Sequence, residues 1–145
     1  MKGKLVLLTA LVLTTAGIAR ADEMNVILLR QAGQDLLAGT FGGIRAVVAA
    51  KGDVKTLAQP ATAMGKWMRV FPSTFPAGSD KGNNTKALPV IWTDMAGFQK
   101  AANDMAEATD KLAQLAKADD ADGVTAQVKV VGEACAACHR TYRAK

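Results

Sequence analysis

Near its C-terminus the chain runs Cys135-Ala136-Ala137-Cys138-His139, and it holds no other cysteine and no other histidine. Residues three apart on a helix share a face about one turn apart, so both thiols can reach one edge of a single planar group while the histidine meets its centre. This C-x-x-C-H spacing is the pattern for covalent attachment of haem. The competing chemistries need partners the chain lacks. A closed zinc site takes four Cys or His ligands. A redox C-x-x-C sits at a helix N-terminus after a strand, and no strand-type alternation precedes Cys135. A disulfide or thiol-disulfide role for Cys135 and Cys138 without haem is the remaining alternative. A planar group tethered to a helix must be enclosed by neighbouring elements, and that limits the architectures open to the chain.

The N-terminus reads Met1-Lys2-Gly3-Lys4, then an apolar run from Leu5 to Ala19, then Ala19-Arg20-Ala21. A basic start, a short apolar core and an Ala-x-Ala site describe a secretory signal peptide, with cleavage expected after Ala21. The run falls short of the roughly 20 residues that span a bilayer, so a retained anchor is not expected. Export suits thiol chemistry outside the cytoplasm, and the periplasm is the expected compartment. Cleavage removes Lys2, Lys4 and Arg20 and no acidic residue, lowering the formal charge from +5 to +2. With no Lys/Arg cluster remaining, neither nucleic acid nor a membrane surface is an expected partner. Residues 22–145 suffice for one domain with a core.

The mature chain is alanine-rich and patterned for helices. Met24, Ile27, Leu28, Leu36, Leu37, Phe41, Ile44, Val47 and Val48 recur mostly at three- and four-residue steps, predicting a first helix to about Lys51. Gly33, Gly39, Gly42 and Gly43 interrupt it at about 1 kcal/mol each relative to Ala. Close approach of another helix or a planar group explains such glycines, and fraying of an exposed face is the alternative. Gly52 is suited to the helix end and Asp53 to the next N-cap. Pro60 kinks a second helix or sits in its first turn, and that helix is expected to reach about Val70. Residues 71–86 form the one long connection. Pro89 opens a third helix with Ile91, Met95, Phe98, Ala102, Met105, Leu112 and Leu115 inward, to about Ala118. After the turn at residues 119–123, a fourth helix carries Val124, Val128, Val131, Cys135, Cys138 and Tyr142 along one stripe. The fold class is all-α, an antiparallel four-helix bundle with one covalently bound haem in its core.

So arranged, the chain resembles the class II c-type cytochromes, the cytochrome c′ family, along its whole mature length. The resemblance rests on the near-C-terminal C-x-x-C-H followed by Tyr142-Arg143, on Arg30-Gln31, on Phe75-Pro76-Ala77-Gly78, and on Ile91-Trp92 with Phe98. It implies haem c bound through Cys135 and Cys138, His139 as the iron's proximal ligand, and Arg143 beside the proximal side. It also implies Arg30 near the haem propionates and Phe75 as an aromatic wall of the distal pocket. The plainer alternatives are a surface charge at Arg30 and core aromatics at Phe75, Trp92 and Phe98. The family places Met or an apolar residue four positions after the helix-one Arg, and here that place holds Gln34. An amide oxygen is a poor ligand for ferrous haem, though it can hydrogen-bond a bound molecule.

The function expected is one-electron transfer, binding of a small diatomic such as nitric oxide or carbon monoxide, or both, at a five-coordinate iron. A six-coordinate carrier with Met64 or Met68 as ligand is the alternative. No acid-base pair for turning over a substrate is legible, so an enzyme is not expected. The sequence names no redox partner, and although dimers are common in the resembled family, no homodimer interface is legible.

Overall fold

The computed structural model describes the backbone from residue 16 to 145 and side chains from residue 25. Five helices follow in order: α1 (Ala16–Ala49), α2 (Ala58–Val70), the single turn α3 (Val90–Thr93), α4 (Met95–Lys117) and α5 (Ala121–Tyr142). Helices α1, α2, α4 and α5 make the four-helix bundle. Among the described residues no strand occurs, only an isolated antiparallel bridge between Ala87 and Arg143. No described helix is long and apolar enough to cross a membrane. The expected leader falls largely on residues 1–15, outside the described residues, and Ala21 lies within α1.

Local chemistry sets most boundaries. Asp53 caps as expected, its carboxylate accepting from Lys55 N, but it opens a 3-10 turn (Val54–Leu57) that runs into α2. Pro60 then sits in the first turn of α2, where its missing N–H leaves no bond unmade. The α1 end differs from expectation. Lys51 (φ 50°), not Gly52, takes the left-handed conformation. A Cβ at Gly52 would come 3.2 Å from Val47 Cγ1, tighter than ordinary contact. The third helix is also split: the Asp94 side chain accepts from Gly97 N and starts α4 afresh, leaving Val90–Thr93 as α3. Asp120 caps α5 through Gly123 N, so that helix starts three residues before Val124.

The core runs along α4, whose Phe98, Ala102, Met105, Ala106, Leu112 and Ala116 are at most 2% exposed. Ile27 and Ile44 of α1 are buried, whereas Leu28 and Leu36, expected on its inner face, are 49% and 74% exposed. The apolar stripe of α1 is narrower than its sequence suggests. Gly33 confirms close approach, since a Cβ there would lie 2.0 Å from Trp67 Cζ2. The Trp67 Nε1 above it is buried without a hydrogen-bond partner. Gly39, Gly42 and Gly43 touch nothing within 4 Å of a would-be Cβ.

Candidate haem site

A cavity of about 810 Å³ opens between α1 and α5, floored by α2 and α4 and closed at one end by the segment Thr85–Ala87. Its size suits a cofactor site. The α5 wall presents Cys135, Cys138 and His139, and Arg143 stands at its edge. Helical spacing puts these side chains on one stripe, as the periodicity requires. Among the described residues no group of three or more His, Cys, Asp and Glu converges as a cage for a bare ion. Two thiols and one imidazole on a helix face, opposite a wall of Leu37, Phe41, Met64 and Met68, fit a flat, largely apolar group held by thioethers and a single axial nitrogen.

The protonation states agree. Burial raises the Cys135 thiol, and burial with the neighbouring Cys135 pushes Cys138 up to about 11. Both cysteines are free, and Cys135 Sγ lies 3.6 Å from Met105 Sδ of α4. Activated redox thiols show the reverse, a depressed pKa at a helix N-terminus. Here the pair occupies the last turns of α5, where the helix dipole disfavours a thiolate. His139 reaches solvent at the cavity mouth. Burial, and then the Arg143 charge, still hold it below the ordinary histidine value, so its ring is neutral at pH 7 and has a lone pair to offer a metal.

The α1 wall brings Arg30, Gln31 and Gln34 to the same cavity. Arg30 is only 3% exposed. Its Nη1 donates to Thr74 O (3.3 Å) and Ser79 Oγ (3.0 Å), and its Nη2 to Ser79 O (2.7 Å) and Thr85 Oγ1 (3.0 Å). The guanidinium also lies 4.4 Å over the Phe75 ring. Arg30 is therefore no surface charge. It anchors the long connection, and the four donor bonds named leave little for a propionate. Phe75 is 6% exposed, lines the cavity and packs edge-on to Phe71 and Phe98 at 5.0 and 4.8 Å. Gln34 turns its Nε2 to Met68 Sδ at 4.0 Å.

In the sequence Ser79 and Thr85 fall in the long connection and Met105 on the inward face of the third helix, with no further role marked. Their parts in holding Arg30 and touching Cys135 depend on contacts 30 to 55 residues away in sequence, which no local pattern signals. The C-terminal tail closes the same end of the bundle. Leu88 N donates to Tyr142 O at 3.0 Å and Ala144 N to Lys86 O at 2.8 Å.

The comparisons with known proteins converge on this geometry. Cytochrome c′ of Rubrivivax gelatinosus is 34% identical over 123 residues, spanning 83% of this chain and 95% of that one. The solved cytochrome c′ of Thermochromatium tepidum superposes with a TM-score of 0.78 at 28% identity, covering 86% of this chain and 97% of that one. A nitric oxide complex of a cytochrome c′ variant from Alcaligenes xylosoxidans gives 0.76 at 28% identity, covering 85% and 96%. The family model for cytochrome c′ matches residues 25–143, a span that includes the whole Cys135–His139 motif, and by that match and its relatives the chain belongs to the cytochrome c′ family, whose members carry covalently bound haem c.

Proposed function

We propose that the protein is an exported, periplasmic monohaem cytochrome, with one haem joined to Cys135 and Cys138 and His139 as axial ligand, serving one-electron transfer and the binding of small diatomic molecules. The observation that carries this reading is the placement of both thiols and the neutral imidazole on one wall of a cavity to which α1, among the described residues, brings no histidine, lysine or methionine. Haem supplies the one-electron couple and the coordination position. The chain supplies burial, a neutral axial nitrogen, and a cation in Arg143 beside that nitrogen. A relative solved as a nitric oxide complex supports the diatomic part.

Expression with a periplasmic haem-attachment system tests this directly. The intact mass should equal residues 22–145 plus one haem, resistant to acid-acetone extraction. Extractable haem, or a bare disulfide-bonded chain, refutes the reading. A second reading has an observation of its own: Met64 and Met68 of α2 line the cavity at 2% and 4% exposure, so either thioether could serve as sixth ligand. A high-spin spectrum in both oxidation states supports the five-coordinate site. A low-spin spectrum with a sulfur-to-iron charge-transfer band supports the methionine.

A further inference from the structure

Of the polar side chains that α1 places on the cavity, Arg30, Gln31 and Gln34 turn hydrogen-bond donors elsewhere, and Arg45 is exposed. Arg30 directs its Nη groups to Thr74, Ser79 and Thr85. Gln31 Nε2 donates to Asn83 O at 2.9 Å. Gln34 Nε2 lies 4.0 Å from Met68 Sδ, a weak acceptor shielded from water by the 4% exposure of Met68. A primary amide carries nitrogen on one arm and oxygen on the other. Holding Nε2 on the thioether makes Oε1 the arm left for a ligand, and among the described residues no donor bonds that oxygen.

His139 approaches from α5, so the opposite face of a group bound to Cys135 and Cys138 looks toward α1 and α2. There Leu37, Phe41, Met64 and Met68 are apolar or weakly polar, and Gln34 contributes the amide. We propose that Gln34 acts as a hydrogen-bond acceptor at the iron's distal side. It thereby selects ligands that carry protons, such as water, ammonia and small primary amines, over ligands whose outer atom bears only lone pairs, such as carbon monoxide. The proposal rests on the haem reading above. Its physical basis is the sign of the interaction: a carbonyl oxygen attracts an N–H or O–H of a bound ligand and repels the electron-rich end of bound carbon monoxide.

The test uses the haem-bearing protein, its Gln34→Leu variant and its Met68→Leu variant. In the ferrous carbon monoxide adduct, an acceptor facing the ligand opposes donation of metal electrons into it and raises the C–O stretching frequency. The infrared order expected is wild type highest, Gln34→Leu lower, and Met68→Leu lowest, because loss of the sulfur contact frees Nε2 to swing inward as a donor. In the ferric protein, Gln34→Leu should weaken binding of ammonia, titrated as the free base, about 5-fold, the effect of one ordinary hydrogen bond. A wild-type stretch at or below that of Gln34→Leu, or unchanged ammonia affinity, overturns the proposal. Should Gln34→Leu fail to fold, the drop from wild type to Met68→Leu decides alone. Absence of c-type haem in a pyridine haemochrome assay overturns the haem reading and the proposal together, whereas a haem-bearing protein with coincident frequencies overturns the proposal only.

Discussion

Arg30→Met should destabilise the protein by about 3–5 kcal/mol, because it leaves buried acceptors without donors. The substitution keeps an unbranched chain of similar reach and removes the donors to Thr74 O, Ser79 O, Ser79 Oγ and Thr85 Oγ1. The two hydroxyls retain other partners, since Ser79 Oγ donates to Pro76 O and Thr85 Oγ1 accepts from Ala87 N. The loss therefore falls on the two carbonyls, at about 1–3 kcal/mol for each buried acceptor left unpaired. Stacking on Phe75 adds about 1–2 kcal/mol. Against this, the guanidinium no longer has to be desolvated. Burial is the larger influence on it, pulling its pKa below the ordinary arginine value while Asp80 pulls the other way. Urea unfolding of the haem-bearing protein measures the difference, with Lys129→Met, an exposed position away from the cavity, as the control expected to stay within about 0.5 kcal/mol. Limited proteolysis should show cleavage of the variant within residues 76–86 before the helices. A stability change under 1 kcal/mol with an unchanged cleavage pattern would refute the anchoring role.

Three further outcomes follow from the same geometry. Gly33→Ala should lose about 1–3 kcal/mol by driving a methyl into the Trp67 ring, whereas Gly39→Ala, which meets nothing within 4 Å, should gain up to about 1 kcal/mol; thermal unfolding separates the two. Tyr142 is the only tyrosine, and burial, then the Asp94 charge and hydrogen bond, raise its pKa above the ordinary value of 10.0. Its contribution to stability is therefore full below pH 10 and is lost as pH rises through the folded-state pKa, and ultraviolet titration of Asp94→Asn should show the phenol ionising at lower pH than in wild type. Gln34→Met should place a thioether on the cavity wall opposite His139 and shift the ferric spectrum toward low spin, with weaker apparent carbon monoxide binding; an unshifted spectrum would mean position 34 does not face the iron.

The sequence disclosed the fold and the haem-bearing stripe because both are periodic. Val124, Val131 and Tyr142 are buried as the four-three spacing requires, and Cys135 and Cys138 lie on the same stripe. Capping chemistry was legible at Asp53 and missed at Asp94, where five residues after Pro89 the aspartate offered a second, equally good start. The outward turn of Leu28 and Leu36 was illegible, since hydrophobicity alone does not say how wide a face the neighbouring helices cover. Arg30 illustrates the larger gap. Its partners stand 44 to 55 residues downstream in a segment with no regular period, and only the folded chain brings them to the guanidinium.

The aromatic chain beside the cavity gives the protein an optical character. Its two tryptophans stand at either end of a run of rings, Trp67 5.7 Å from Phe71 and Trp92 5.8 Å from Phe75, with Phe71 and Phe75 themselves on the cavity wall. The indole of Trp92 donates to Pro76 O at 2.9 Å, while that of Trp67 is buried without a partner. Excited by ultraviolet light, Trp67 should emit toward the blue and Trp92 further to the red. A strongly coloured macrocycle seated between Cys138 and Gln34 would drain the excitation of both, so the chain glows when empty and goes dark when filled.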